Sequence, residues 1–175
     1  MLIHMEKKEY AMSKIKKSVM VLACSVFVSA SALAGNVVPT TGHGYGGNTS
    51  SSATPLADGS TLIKQTSHEF WIQDQNDAKF PTEVIADCES AMLLSAEGAP
   101  IAFSGLCTGT DIDGDTFIAT NHSVKPDFSD CHWTMYGGTG KYAGVSGSGA
   151  CIPGGPITQD GNNSKFSWTG EWVLP

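Results

Sequence analysis

The run Gly137-Gly138-Thr139-Gly140-Lys141-Tyr142-Ala143-Gly144-Val145-Ser146-Gly147-Ser148-Gly149 places six glycines in thirteen residues while keeping an alternation that can run as a strand. Glycine weakens a strand interior, so its repetition there points to a bent or bulged strand, or to one that leaves room for bulky neighbours. No helical periodicity follows the run and the chain contains no arginine, which argues against a phosphate-binding loop. The stretch is read as the turn and following strand of a closed antiparallel sheet.

The N-terminal segment is expected to lie outside that sheet. From Met12 the chain shows a basic head (Lys14, Lys16, Lys17), an apolar run from Val19 to Leu33 and the small-residue end Ala32-Leu33-Ala34. This is the pattern of a secretory signal peptide over residues 1–34, cleaved after Ala34, with residues 1–11 upstream of a natural start at Met12. The apolar run is shorter than the roughly 20 residues of a spanning helix and is broken by serines. The remaining 35–175 is enough for one domain. It carries five lysines against fifteen acids, a net charge of −10. Such a surface repels phosphate backbones and lacks the guanidinium forks that grip them, so nucleic acid is excluded as a partner class. The expected location is exported, periplasmic or secreted.

Residues 35–60 are rich in Gly, Ser and Thr, including Gly42-His43-Gly44-Tyr45-Gly46-Gly47, and are read as a flexible leader. From Thr61 short alternating runs separated by turn clusters predict an all-β domain over 61–175. Strands are expected at 62–74, 84–95, 100–112, 115–124, 131–136, 142–152 and 165–173. Phe166, Trp168 and Trp172 share one face of the last strand. The first strand, through Phe70, Trp71 and Ile72, is expected to pair with it and close a barrel.

Pairing across an antiparallel hairpin keeps the sum of residue numbers constant. A turn at Glu97-Gly98 sets Cys88 opposite Cys107, Met92 opposite Phe103, Ser90 opposite Gly105 and Leu94 opposite Ile101. A hairpin around Lys141 sets Cys131 opposite Cys151, Trp133 opposite Gly149 and Met135 opposite Gly147, so large residues meet glycines across the pair. The expected disulfides are Cys88 to Cys107 and Cys131 to Cys151, with a cross-pairing such as Cys107 to Cys131 left open. An outer-membrane barrel also has eight strands and a signal peptide, but the four cysteines and the weak aromatic girdle favour a barrel without stable membrane insertion.

Gly138-Thr139-Gly140-Lys141-Tyr142-Ala143-Gly144, the trailing Gly147 and Gly149, and the closing Trp168-Thr169-Gly170-Glu171-Trp172 resemble the allene oxide cyclase and dirigent type of β-barrel, especially its small exported bacterial members. The compatible pattern covers about 61–175. The resemblance implies an eight-stranded antiparallel barrel, calycin-like in outline, with an apolar interior. It also implies an isomerase or cyclase that steers a reactive small molecule by holding it in one conformation. The shared motif is structural, so no catalytic residue carries across.

Three readings follow. The first is a disulfide-stapled barrel that binds a small apolar molecule through Met92, Phe103, Trp133 and Met135, with His122 as a polar handle and no cofactor. The second is an isomerase or cyclase acting on such a ligand. The third is a non-catalytic structural or interaction protein whose interior is filled by its own side chains. An Asp113-Gly114 two-residue turn would set His122 opposite Gly105 on the inner face, where an imidazole could orient a ligand or move a proton. Asp111, Asp113 and Asp115 resemble a fragment of a calcium loop but lack its closing Glu, so they are read as turn residues rather than metal ligands. Glu69 is taken to face solvent, because Phe70 and Ile72 flank it on the apolar side. Facing inward beside Trp71, it would be a buried carboxyl with a raised pKa and a candidate general acid.

Overall fold

In the computed structural model, which describes residues 35–175, eight consecutive antiparallel strands close on themselves. They are β1 (Asn36–Pro55), β2 (Thr61–Gln75), β3 (Glu83–Leu94), β4 (Pro100–Asp111), β5 (Thr116–Ser123), β6 (His132–Gly138), β7 (Ser146–Pro156) and β8 (Asn163–Leu174). Each strand pairs with its neighbours in sequence and β1 pairs with β8, so closure needs no crossover. The expected all-β, closed eight-stranded antiparallel barrel is the observed architecture. The signal-peptide reading falls on residues 1–34, outside the described residues.

The leader reading is corrected. Residues 36–55 form β1, which pairs with β8 along Asn36–Gly47 and with β2 along Thr41–Pro55. Closure therefore runs through β1, and β2 does not pair with β8 as expected. The physical reason lies in the glycines. A Cβ on Gly42 would collide with the Trp168 ring, and one on Gly44 with the Phe166 ring. Strand β1 looks apolar-poor because neighbouring aromatic rings occupy the space its own side chains would fill.

The β3–β4 register matches expectation from Cys88 opposite Cys107 to Met92 opposite Phe103, but a shift after Leu93 puts Leu94 against Pro100 instead of Ile101. Strands β6 and β7 pair Trp133 with Gly149 and Met135 with Gly147. Both disulfides form as expected, Cys88 to Cys107 at 4.1 Å between Cα atoms and Cys131 to Cys151 at 5.1 Å. Each clips neighbouring strands, an arrangement typically worth about 2–4 kcal/mol. Strand β7 starts at Ser146 rather than 142, because Gly140–Tyr142 makes a 3-10 turn flanked by Gly137 and Gly144 at φ of 82° and 75°. Those left-handed conformations require glycine.

The up-and-down order sends the 76–82, 112–115 and 139–145 connections, together with the chain ends at 35 and 175, to one end of the barrel. That end is plugged. Tyr142 and Val145 from the glycine-rich connection and Phe80 from the 76–82 loop pack with Phe117, Trp172 and Leu174. Phe80 stacks on Tyr142 at 5.2 Å and meets Trp172 edge-on at 4.7 Å, and Tyr142 is fully buried. The other end carries the 56–60, 95–99, 124–131 and 157–162 connections.

Candidate ligand-binding site

Alternation along the strands sends one residue in two inward, and above the plug these residues enclose a cavity of about 560 Å³. Met92, Phe103, Trp133 and Met135, the apolar residues expected at the site, all line it. Trp133 lies against the backbone of Gly149 and Gly170, where any Cβ would run into its ring, and its Nε1 donates to the Thr169 carbonyl at 3.1 Å. Trp71, Phe166 and Trp168 form a second aromatic group on the lining, with ring centroids 5.8–6.3 Å apart.

His122 is corrected to the outer face. The β4–β5 turn is a three-residue loop, Ile112-Asp113-Gly114, closed by Asp111 N–H donating to the Asp115 carbonyl at 3.0 Å, with Gly114 at φ of 83°. The register then pairs Gly105 with Asn121 and Ser104 with His122. One extra loop residue moves every inward side chain of β5 by one position. His122 is exposed and packs edge-on to His132 at 5.9 Å, while Asn121 takes its place on the lining. The Asn121 Oδ1 is buried without a hydrogen-bond partner.

Glu69 is corrected to the inner face. The inward row of β2 on the cavity is Ile63, Gln65, Ser67, Glu69, Trp71 and Gln73, while Phe70 is 39% exposed on the outside. The Glu69 carboxylate accepts from Trp71 Nε1 at 2.8 Å and from Ser67 Oγ at 2.9 Å. Burial pushes its pKa above the ordinary glutamate value, outweighing the two hydrogen bonds that favour the charged form. Its oxygen lies within 4.8 Å of the sulfurs of Cys88 and Cys107. Those sulfurs are bonded to each other, so the group offers a metal only one carboxylate.

At the plugged end the three aspartates hold an ammonium group from the chain itself. Lys141 Nζ lies 2.6 Å from Asp111 Oδ2, 2.7 Å from Asp113 Oδ2 and 3.2 Å from Asp115 Oδ2. This replaces the calcium-loop resemblance with a structural role: the lysine of the glycine-rich connection ties it to the β4–β5 turn. Burial pushes the Asp111 carboxyl up, but hydrogen bonds from Lys141 and from the Asp113 and Asp115 amides outweigh it and hold the pKa below the ordinary value.

Sequence reasoning missed Asn121 and Phe128. Phe128, in the 124–131 connection, has φ of 55°, a left-handed conformation uncommon for an aromatic residue, and meets Phe103 edge-on at 6.2 Å on the cavity lining. Asp130 anchors this loop by accepting from Ser123 Oγ and from the Val124 and Lys125 amides. No local pattern in the chain announces Phe128, whereas a three-residue turn would have pointed to Asn121.

No family model, curated protein or solved structure matches the chain. Its chemistry therefore rests on the geometry alone: apolar walls, one inward carboxyl and the side-chain amides of Asn48, Gln65, Gln73 and Asn121, in a volume within the usual range for small-molecule sites.

Proposed function

We propose that this chain is an exported barrel that binds a small, largely apolar molecule in its interior. The observation that carries the reading is the cavity of about 560 Å³ above a packed plug, since a barrel filled by its own side chains would leave no such space. The two disulfides are compatible with an oxidising compartment. The glycine-rich run at 137–149 and the consecutive eight-strand order support an allene oxide cyclase-like relationship. Untargeted mass spectrometry of molecules co-purifying with the protein tests the binding. An enriched apolar compound, retained by the wild type and lost from Trp133→Ala, is expected. An empty preparation, or retention unaffected by Trp133→Ala, argues against the pocket.

The inward Glu69 favours a second reading, an isomerase or cyclase. A carboxyl protonated to higher pH than usual can serve as a general acid toward a bound molecule. Turnover of the co-purifying compound, abolished in Glu69→Gln, is its test, and unchanged turnover in that variant would remove Glu69 from the chemistry.

A further inference from the structure

We propose that the interior selects a cationic ligand, an apolar amine or quaternary ammonium whose charged head pairs with Glu69 beside the rings of Trp71, Phe166 and Trp168. This rests on the binding reading above and names the class of molecule bound. Among the described residues, Glu69 is the one carboxylate on the cavity lining. Its two oxygens accept one hydrogen bond each, from Ser67 and Trp71, leaving acceptor capacity for a ligand. Lys165 also borders the cavity, but it alternates with the inward Phe166, is exposed, and its side chain lies over Gly154. The inward carboxylate therefore has no lysine to neutralise it, and a bound cation would supply the missing charge.

The aromatic group adds to this preference. Trp71 donates its Nε1 to Glu69, so the indole is tied to the carboxylate, and Phe166 and Trp168 pack against that indole. Aromatic faces attract cations, and the attraction strengthens away from water. An anionic head would meet Glu69 with like charge and no lysine on the inner face to offset it, and a neutral hydroxyl would forgo the charge attraction.

The end of the barrel away from the plug points the same way. Its connections carry Asp58, Glu97, Asp127, Asp130 and Asp160 against the single lysine Lys125. Hydrogen bonds from Ser60, Ser129, Ser123 and Thr158 hold the pKa values of Asp58, Asp127, Asp130 and Asp160, respectively, below the ordinary value. An acidic rim raises the local concentration of cations and speeds their entry.

Three probes sharing one naphthyl group separate the possibilities by isothermal titration at neutral pH: 2-(1-naphthyl)ethylamine, 2-(1-naphthyl)ethanol and 1-naphthylacetate. The amine is expected to bind at least about tenfold tighter than the alcohol, with the acetate weakest. Glu69→Gln is expected to erase the amine's advantage while keeping the alcohol's affinity, which also shows that the variant is folded. An alcohol or acetate that binds as tightly as the amine, or an amine preference that survives Glu69→Gln, overturns the proposal and leaves the binding barrel standing. Absence of binding by all three probes overturns the ligand-binding reading itself.

Discussion

Glu69 is the residue at which fold and chemistry meet. Because burial raises its folded-state pKa, the folded chain holds this proton more tightly than the unfolded chain does. Its contribution to stability is therefore fully present below the ordinary glutamate value of 4.5 and is lost as pH rises through the raised folded pKa. Glutamine has no proton to lose. The melting temperature of Glu69→Gln, relative to wild type, is expected to climb as pH rises through this window, each unit of pKa difference corresponding to about 1.4 kcal/mol. Thermal melts across pH 4–8 check it, and a difference that stays flat or falls with pH contradicts the buried placement. The inward position was hidden by ordinary pattern reading. Phe70 and Ile72 look like the core side of β2, but that rule assumes a filled interior. Here the interior is a lined cavity, and the polar row Gln65, Ser67, Glu69 and Gln73 faces it. The His122 placement failed for a different reason: a single loop residue decides the face of a whole strand, and Asp-Gly fits both two- and three-residue turns.

Among the elements, β1 is the one whose role depends most on distant partners. Cysteine and glycine positions suffice to register β3 with β4 up to the shift after Leu93, and β6 with β7, because each hairpin announces its own turn. Strand β1 ends in an Asp58-Gly59 turn but shows no apolar face of its own: its inward Gly42 and Gly44 have meaning only beside Trp168 and Phe166, more than a hundred residues away. Single-segment composition cannot contain that information. Gly42→Val is accordingly expected to destabilise the barrel by about 1–3 kcal/mol through overpacking, and Trp168→Ala in the same chain to recover part of that loss. Chemical denaturation of the two single variants and the double variant measures the coupling. Additive losses would mean that the strand and the ring do not share the space. The glycine-rich connection shows the complementary use of glycine: Gly137 and Gly144 bend the chain so that Tyr142 and Val145 enter the plug while Lys141 reaches the aspartates.

At the scale of the whole molecule, a short glycine-rich turn closes one end of the barrel and leaves space at the other. The plug concentrates apolar packing where the 76–82 and 139–145 connections meet, and the cavity takes the aromatic and polar side chains above it. This space is expected to accept a small apolar molecule. Titration with Nile red, read by its own emission, tests it most directly, alongside Ser90→Phe, which places a ring on the lining opposite Gly105. One saturable site per chain is expected, with affinity reduced at least about tenfold in Ser90→Phe while the thermal melt stays cooperative. Emission that rises without saturation, or a Ser90→Phe variant that binds as the wild type does, would contradict it.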